Sequence, residues 1–295
     1  MPTPIDSPVY YVGPWAANVL DDDGVEWICE VEDGWSASPP VRALVEDKTA
    51  ADGAWSGPGF FGARVINLSG RARATDRLGM LAAKDRIKAA FNPRSLFTLT
   101  VAEAHLTRVA TVRLSDQLDV KDQTDQIFAW SLTVVAPDPR RYAEEAVTEQ
   151  ATLPATLTAG RTYSRTYPLV YGGAGGAVSS VFIDQAGNYD ETPATITIIG
   201  PVVSPRVEHI QSGRSLTFNV TVEYGHTLVL DLLRKTALLD GYANQAPNLS
   251  AGSAWFMLVP GVNELAFRGA AGTLPPEADP ATVPIMSVTA ASAWV

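Results

Sequence analysis

Apolar positions in this chain recur mainly at every second residue, in short runs bounded by Gly, Pro, Asn and Asp, which is the signature of half-buried β-strands. In the first half, Val25–Val31, Val41–Val45, Ala63–Gly70, Leu96–Ala102, Arg108–Leu114 and Ile127–Val135 read as strands. Within Ala63–Gly70, Val65 and Asn67 share one face and Ile66 and Leu68 the other. One segment breaks the pattern. From Thr75 to Phe91, Met80, Ala83, Ile87 and Phe91 return at helical spacing. Thr75 suits the N-cap, Asp76 the first turn, and Asn92-Pro93 ends the helix. The stripe is predicted to face a core. Asp52–Gly62, rich in glycine and aromatics, and the Asp116, Asp119, Asp122, Asp125 stretch are predicted as exposed loops.

The second half shows strands only: Val178–Ile183, Ala194–Ile199, Arg206–His209, Ser215–Val222, Thr227–Asp231, Leu238–Asp240, Trp255–Leu258, Glu264–Arg268 and Ser287–Val295. Asp240-Gly241 supplies the positive φ of a hairpin turn. Where the two halves meet, Ala136-Pro137-Asp138-Pro139-Arg140-Arg141-Tyr142 ends a strand in a stiff segment, because each proline fixes its own φ and extends the residue before it. Pro137, Asp138, Pro139, Arg140, Arg141 and Tyr142 are therefore predicted as an interdomain hinge. The expected division is a first domain over 1–142, a connector over 143–168 and a β-sandwich over 169–295, with Tyr163–Val170 leading into Tyr171 and the glycine run that follows it. Gly172-Gly173-Ala174-Gly175-Gly176 supplies backbone freedom at the start of the sandwich.

Charge and composition narrow the function. The formal net charge is −10 over 295 residues. Residues 1–150 hold 22 acids and 15 bases, and residues 151–295 hold 10 acids and 7 bases. Neither half offers the basic footprint that phosphate neutralisation requires, and an acidic surface repels nucleic acid. The single cysteine, Cys29, rules out an internal disulfide and a cysteine-based zinc site. The first residues show no basic-then-apolar leader pattern, and no apolar run approaches the ~20 residues of a membrane-spanning helix. The expectation is a protein made in the cytosol, with no membrane partner.

Candidate chemistry is sparse. His105, His209 and His226 show no metal-ligand spacing. Asp21-Asp22-Asp23-Gly24 lacks the alternating ligands and closing Glu of a calcium loop and reads as a solvated turn. No phosphate loop, nucleophile elbow or distinctive carboxylate pair is present, so the chain is expected to have no enzymatic activity, catalytic residues, metal or cofactor. The aromatics Trp15, Trp35, Trp55, Phe60 and Phe61, in or near loops, suit interface anchoring or the cover of a small core.

An ordered set of short motifs resembles the distal tail proteins, also called minor tail proteins, of long-tailed siphophages. In the first domain these are Gly34-Trp35, Pro39-Pro40-Val41-Arg42, Gly57-Pro58 with Phe60-Phe61-Gly62-Ala63-Arg64, the helix, and Trp130 to Tyr142. In the second they are Asn188-Tyr189, Pro193-Ala194, Ile196–Pro201, Arg234–Gly241 and Trp255–Leu265. The resemblance implies a mainly β protein, with a β-rich N-terminal belt domain carrying one packed helix and a C-terminal galectin-like β-sandwich. It further implies a homo-hexameric ring in the virion's tail tip, made in the host bacterial cytoplasm. The implied partners are the tail tube, tail-tip or tail-associated and tape-measure proteins, with DNA passing through the lumen unbound. Trp35, Trp55, Phe60, Phe61 and Arg64 are the expected contacts to a subunit or neighbour. Two other readings stand beside this one: a carbohydrate-binding adhesion module, and a cell-wall hydrolase of the tail tip.

Overall fold

The computed structural model describes residues 7–153, 179–279 and 282–295. The chain divides into two compact units, the first comprising residues 1–144 with Trp294–Val295 and the second residues 145–293. The predicted Tyr163–Val170 lead-in and the Gly172–Gly176 run lie outside the described residues.

In the first unit the strands are β1 (Val9–Val12), β2 (Trp15–Ala17), β3 (Val19–Leu20), β4 (Glu26–Asp33), β5 (Val41–Asp47), β6 (Ala54–Phe61) and β7 (Arg64–Arg73). After the helix α1 (Arg77–Ala90) come β8 (Phe97–Ala102), β9 (Thr107–Leu114), β10 (Asp119–Asp122), β11 (Ile127–Ala136) and β12 (Arg141–Ala143). The main sheet runs β2-β1-β8-β9-β11-β7-β4-β3, with antiparallel pairing between neighbours and β10 added on β11. Alternation does what the sequence predicts: along β7 and β11 every second side chain is buried. These inward residues meet the buried Met80, Ala83 and Ile87 of α1 in one apolar core.

Edge-on ring contacts knit that core. Trp15 meets Trp27, Phe91 and Trp130 at centroid separations of 5.7, 5.1 and 5.4 Å, and Trp27 meets Phe128 at 5.7 Å. T-shaped pairs place a positive ring edge against a negative face. Trp15 is therefore a core residue, not a loop anchor.

Electrostatics fix the outer face of α1. Arg86 pairs with Asp21 at 2.8 Å and with Asp23, while Lys84 pairs with Asp122. Arg77 reaches Asp122 at 3.3 Å. The Asp21–Asp23 turn and part of the Asp116–Asp125 stretch thus supply counter-charges to a basic helix. Asp119–Asp122 is a strand, not a loop, because β11 offers it a free edge. The helix N-cap is Asp76 and not Thr75: the Asp76 side chain accepts from the Gly79 amide at 2.7 Å.

The second unit is a β-sandwich. One sheet orders β13 (Val147–Thr152), β23 (Ile285–Ala290), β15 (Ala194–Ile199), β19 (Thr227–Asp231), β20 (Thr236–Leu239) and β21 (Ala243–Asn244). The other orders β14 (Ser180–Gln185), β22 (Gly261–Ala271), β16 (Val202–His209) and β17 (Arg214–Thr217), with β18 (Thr221–Val222) on β16. Val181, Ile183, Ile196, Ile198, Leu228, Leu230, Leu265, Phe267, Met286 and Val288 fill the space between the sheets.

Four expectations change here. Residues 147–152, expected in a connector, form the edge strand β13 along β23. Ser215–Val222 breaks into two strands, and Ser287–Val295 into β23 and a final β24 (Ala293–Trp294). Trp255–Leu258 is irregular apart from a single bridge between Leu258 and Thr192. Asp240 and Gly241 do take positive φ, 52° and 78°. No helix among the described residues is long and apolar enough to cross a membrane.

Asp76→Ala removes the one side-chain cap of α1 and is expected to lower stability by about 1 kcal/mol in urea titration, with Thr75→Ala near neutral.

Candidate functional site

Asp52–Gly62, expected as an exposed loop, is exposed but mostly strand: its β6 pairs antiparallel with β5 as a separate two-stranded ribbon. The pairing joins Val41 to Phe61, Arg42 to Phe60 and Glu46 to Trp55, with a bulge between Ala43 and Val45. All of β5 is exposed. Trp55 is 69 % exposed and Phe60 63 %, and Val41, Leu44 and Val45 are also open to solvent. Lys48 lies 5.2 Å from the Trp55 ring centroid. A ribbon with no buried face and this many large apolar side chains lacks the core contacts that stabilise a free hairpin.

What holds the root of the ribbon is a buried arginine. Arg64 begins β7 directly after the ribbon and is 1 % exposed. Its Nε donates to the Pro139 carbonyl at 3.0 Å, and its Nη1 to the carbonyls of Gly34 at 2.7 Å, Trp35 at 3.0 Å and Ala37. Arg141 of β12 adds a donation to the Trp35 carbonyl at 2.9 Å, and its guanidinium lies 5.7 Å from the Trp35 ring centroid. Trp35 is 1 % exposed; its amide donates to Glu32 at 2.6 Å and its indole N–H to Glu103 at 3.1 Å. Arg108 pairs with Glu103. Gly34 is required by this turn: its φ is 98°, and a Cβ there would lie 1.9 Å from the Val65 carbonyl oxygen.

The cluster is self-compensating. Burial lowers the Arg141 pKa to about 10, helped by the nearby charges of Arg108 and Arg64 and opposed by Glu103 and Glu32. Burial likewise lowers that of Arg64, reinforced by Arg108. Burial pushes the Glu103 carboxyl up, but hydrogen bonds from Arg108 and Trp35 more than reverse this, leaving it below the usual carboxylate range.

Two expected contact residues are therefore corrected. Trp35 and Arg64 are interior groups, because the turn at 34–37 needs donors for its carbonyls, supplied by Arg64 and by Arg141, whose guanidinium lies against the Trp35 ring. The exposed part of the expected contact set is Trp55 and Phe60, with Phe61 half-buried. The predicted hinge is also tied down. Pro139 accepts from Arg64, the Tyr142 hydroxyl donates to Asp138 at 2.7 Å, Arg140 pairs with Asp138 at 3.3 Å, and Tyr142 pairs with Val109 of β9. Pro137 to Tyr142 thus belong to the first unit. Cys29 is half-buried and its thiol is pushed up to about 11, first by burial and then by Glu32. Among the described residues no cluster of three or more His, Cys, Asp or Glu could hold a metal. Glu32, Glu103 and Arg108 carry no local sequence signal for this role; their pairing exists only once β4, β8 and β9 are assembled.

Arg64→Ala strands buried carbonyls and is expected to destabilise the first unit by about 3 kcal/mol or more, read by tryptophan fluorescence in urea; Arg64→Lys, without the planar fork, recovers only part. Glu103 has a lowered folded pKa, so its contribution is present above about pH 4.3 and lost as pH falls through the lower folded value. Glu103→Gln is expected to flatten that acid limb of the stability curve.

Comparison with known proteins follows the same division. Residues 186–275, less than half of the chain, match the protein family described as "Siphovirus-type tail component, C-terminal domain". No curated protein matches the sequence. Among solved structures, SPP1 Dit (gp 19.1) is similar with a TM-score of 0.61 at 11 % identity, covering 89 % of this chain and 92 % of that one. Its structure is described as a paradigm of the hub adsorption apparatus in phages that infect Gram-positive hosts. The phage p2 baseplate in its activated conformation with Sr gives a TM-score of 0.48 at 13 % identity, over 90 % of this chain and 100 % of that one. The likeness to SPP1 Dit is one of fold, mainly β with one helix in the first unit and a sandwich in the second. The family match therefore concerns residues 186–275 of the second unit, which are similar to the C-terminal domain of siphovirus-type tail components.

Proposed function

We propose that the chain is a structural virion protein at the distal end of a long non-contractile phage tail. It forms a homo-hexameric ring hub that joins the tail tube protein to tail-tip or tail-associated proteins, beside the tape-measure protein, and DNA crosses its lumen without specific binding. The observation that carries this reading is a combination in one chain. Residues 186–275 of the second unit match the C-terminal domain of siphovirus-type tail components, and 89 % of the chain aligns with the fold of SPP1 Dit.

The exposed ribbon supports self-assembly. A closed ring uses heterologous contacts, in which one surface of each subunit meets a different surface of the next. The β5–β6 ribbon, with Trp55 and Phe60 at its surface and Phe61 nearer its root, is the contact proposed for the neighbouring subunit. Aromatic side chains of this kind dominate the energy of interfaces. Trp35 and Arg64 act one step removed, by fixing the ribbon's root. The acidic balance, −10 overall, supports a channel past which DNA slides without sticking.

Trp55→Asp and Phe60→Asp are the direct test. Both side chains are exposed in the single chain, so the midpoint of thermal unfolding of dilute protein should be unchanged. Light scattering of purified full-length protein should show the concentration for half-assembly raised about tenfold or more per substitution. Unaltered assembly in both variants would remove the ribbon from the interface.

A further inference from the structure

A cavity of about 280 Å³ opens on the second unit, lined by Asp190, Glu191, Ser212, Arg214, Lys235 and Trp255, together with the buried Phe256 and the half-buried Met257 and Val259. That volume sits just below the low end of small-ligand pockets, about 300 Å³ upward. The cavity does not depend on the ribbon or on ring formation.

Its base is fixed. Phe256 is buried and stacks on His209, with ring centroids 5.1 Å apart and planes 16° from parallel. His209 is fully buried; its Nδ1 shares a hydrogen bond with the Ser212 hydroxyl at 2.8 Å and its Nε2 one with Asn263 at 3.0 Å. Asn263 in turn holds the Val259 amide at 2.8 Å and its carbonyl at 2.7 Å. The irregular segment from Trp255 to Val259 is thereby pinned at its far end. Arg214 pins the near end by donating to the Trp255 carbonyl at 3.2 Å. Trp255 packs half-buried on the sandwich core.

Three side chains of the rim are uncommitted, whereas Ser212 and Arg214 are held by His209 and the Trp255 carbonyl. Among the described residues, the side chains of Asp190, Glu191 and Lys235 make no hydrogen bond or ion pair. All three are exposed, as is Arg214. Two carboxylates and two cations balance, and burial holds His209 below the usual imidazole range, so it adds no charge.

From this arrangement we infer that the cavity binds a neutral saccharide. A ligand carrying charge of one sign only would meet as much repulsion as attraction on a rim of two acids and two bases. A sugar hydroxyl both donates and accepts, so one ring can satisfy carboxylates and cations together. The C–H face of the same ring suits the indole of Trp255, whose body is apolar and whose edge is polar. A simple apolar ligand would bury the rim charges without partners, which is costly. A short peptide has fewer groups that donate and accept at one atom.

The test uses the ¹⁵N-labelled full chain, titrated with N-acetylglucosamine and with galactose. The anionic N-acetylneuraminic acid, the cationic glucosamine, and glycerol serve as comparisons. The indole N–H signal of Trp255 is assigned by its loss in Trp255→Phe. A neutral sugar is expected to shift that signal selectively and saturably, with a dissociation constant on the order of 1–10 mM. Asp190→Asn combined with Glu191→Gln, both at exposed sites, should weaken binding about tenfold or more and leave the rest of the spectrum in place. Three results would overturn the inference: no selective shift at about 100 mM sugar, a stronger response to either charged sugar or to glycerol, or shifts that survive the double substitution.

Discussion

The first unit depends on a single buried guanidinium. Arg64 gathers the carbonyls of Gly34, Trp35, Ala37 and Pro139, of which that of Trp35 also accepts from Arg141; a buried carbonyl left without a partner costs about 1–3 kcal/mol. Through it the turn that leads into the ribbon and the segment that follows β11 are held at one point. Trp35 closes over this point and is itself held by Glu32 and Glu103. The constraint is demanding: a charge taken out of water survives only when its hydrogen bonds are met and counter-charges stand nearby. Three arginines, two glutamates and a tryptophan meet most of that condition together, with Arg64 Nη2, Arg108 Nε and Arg141 Nε the buried donors left without a partner among the described residues, and so Gly34-Trp35, Ala63-Arg64 and Arg140-Arg141, far apart in the chain, act as one feature.

Around this cluster the remaining forces are ordinary and divide cleanly. Apolar burial and edge-on aromatic contacts fill the first core, and mainly aliphatic residues with Phe218, Phe256 and Phe267 fill the second. Acidic turns neutralise the basic face of the helix. What these forces leave exposed is the informative part. The ribbon is anchored rigidly at its base and shows its aromatic residues to solvent, an arrangement that makes sense when another surface covers it. The cavity beside Trp255 is the reverse case, with a packed base and, at the rim, Asp190, Glu191 and Lys235 without partners among the described residues.

How much of this was legible follows from where each signal lives. Strands with one buried face, such as β7, β11, β15 and β19, announce themselves because burial imposes a two-residue period. The helix does so through Met80, Ala83 and Ile87. The ribbon does not: with no buried face nothing enforces alternation, and Gly57, Pro58 and Gly59 read as a loop. Trp255–Leu258 misleads in the opposite sense, being apolar enough for a strand while its backbone is held by Arg214 and Asn263. Arg64 reads as a surface residue because arginine usually is one, and its partners lie 27 to 75 residues away. The ordered motifs did mark these residues as a set, and pointed to the tail-component match over 186–275, but nothing local distinguished a residue that makes the contact from one that positions it.

The central claim is that this chain closes on copies of itself to form a hub. The most direct measurement is native mass spectrometry of the purified full-length protein over a range of concentrations, with negative-stain class averages of the same samples. The account predicts a homo-hexamer that appears in projection as a closed ring with a central hole. A protein that stays monomeric across the range, or that forms open chains without closure, would contradict it.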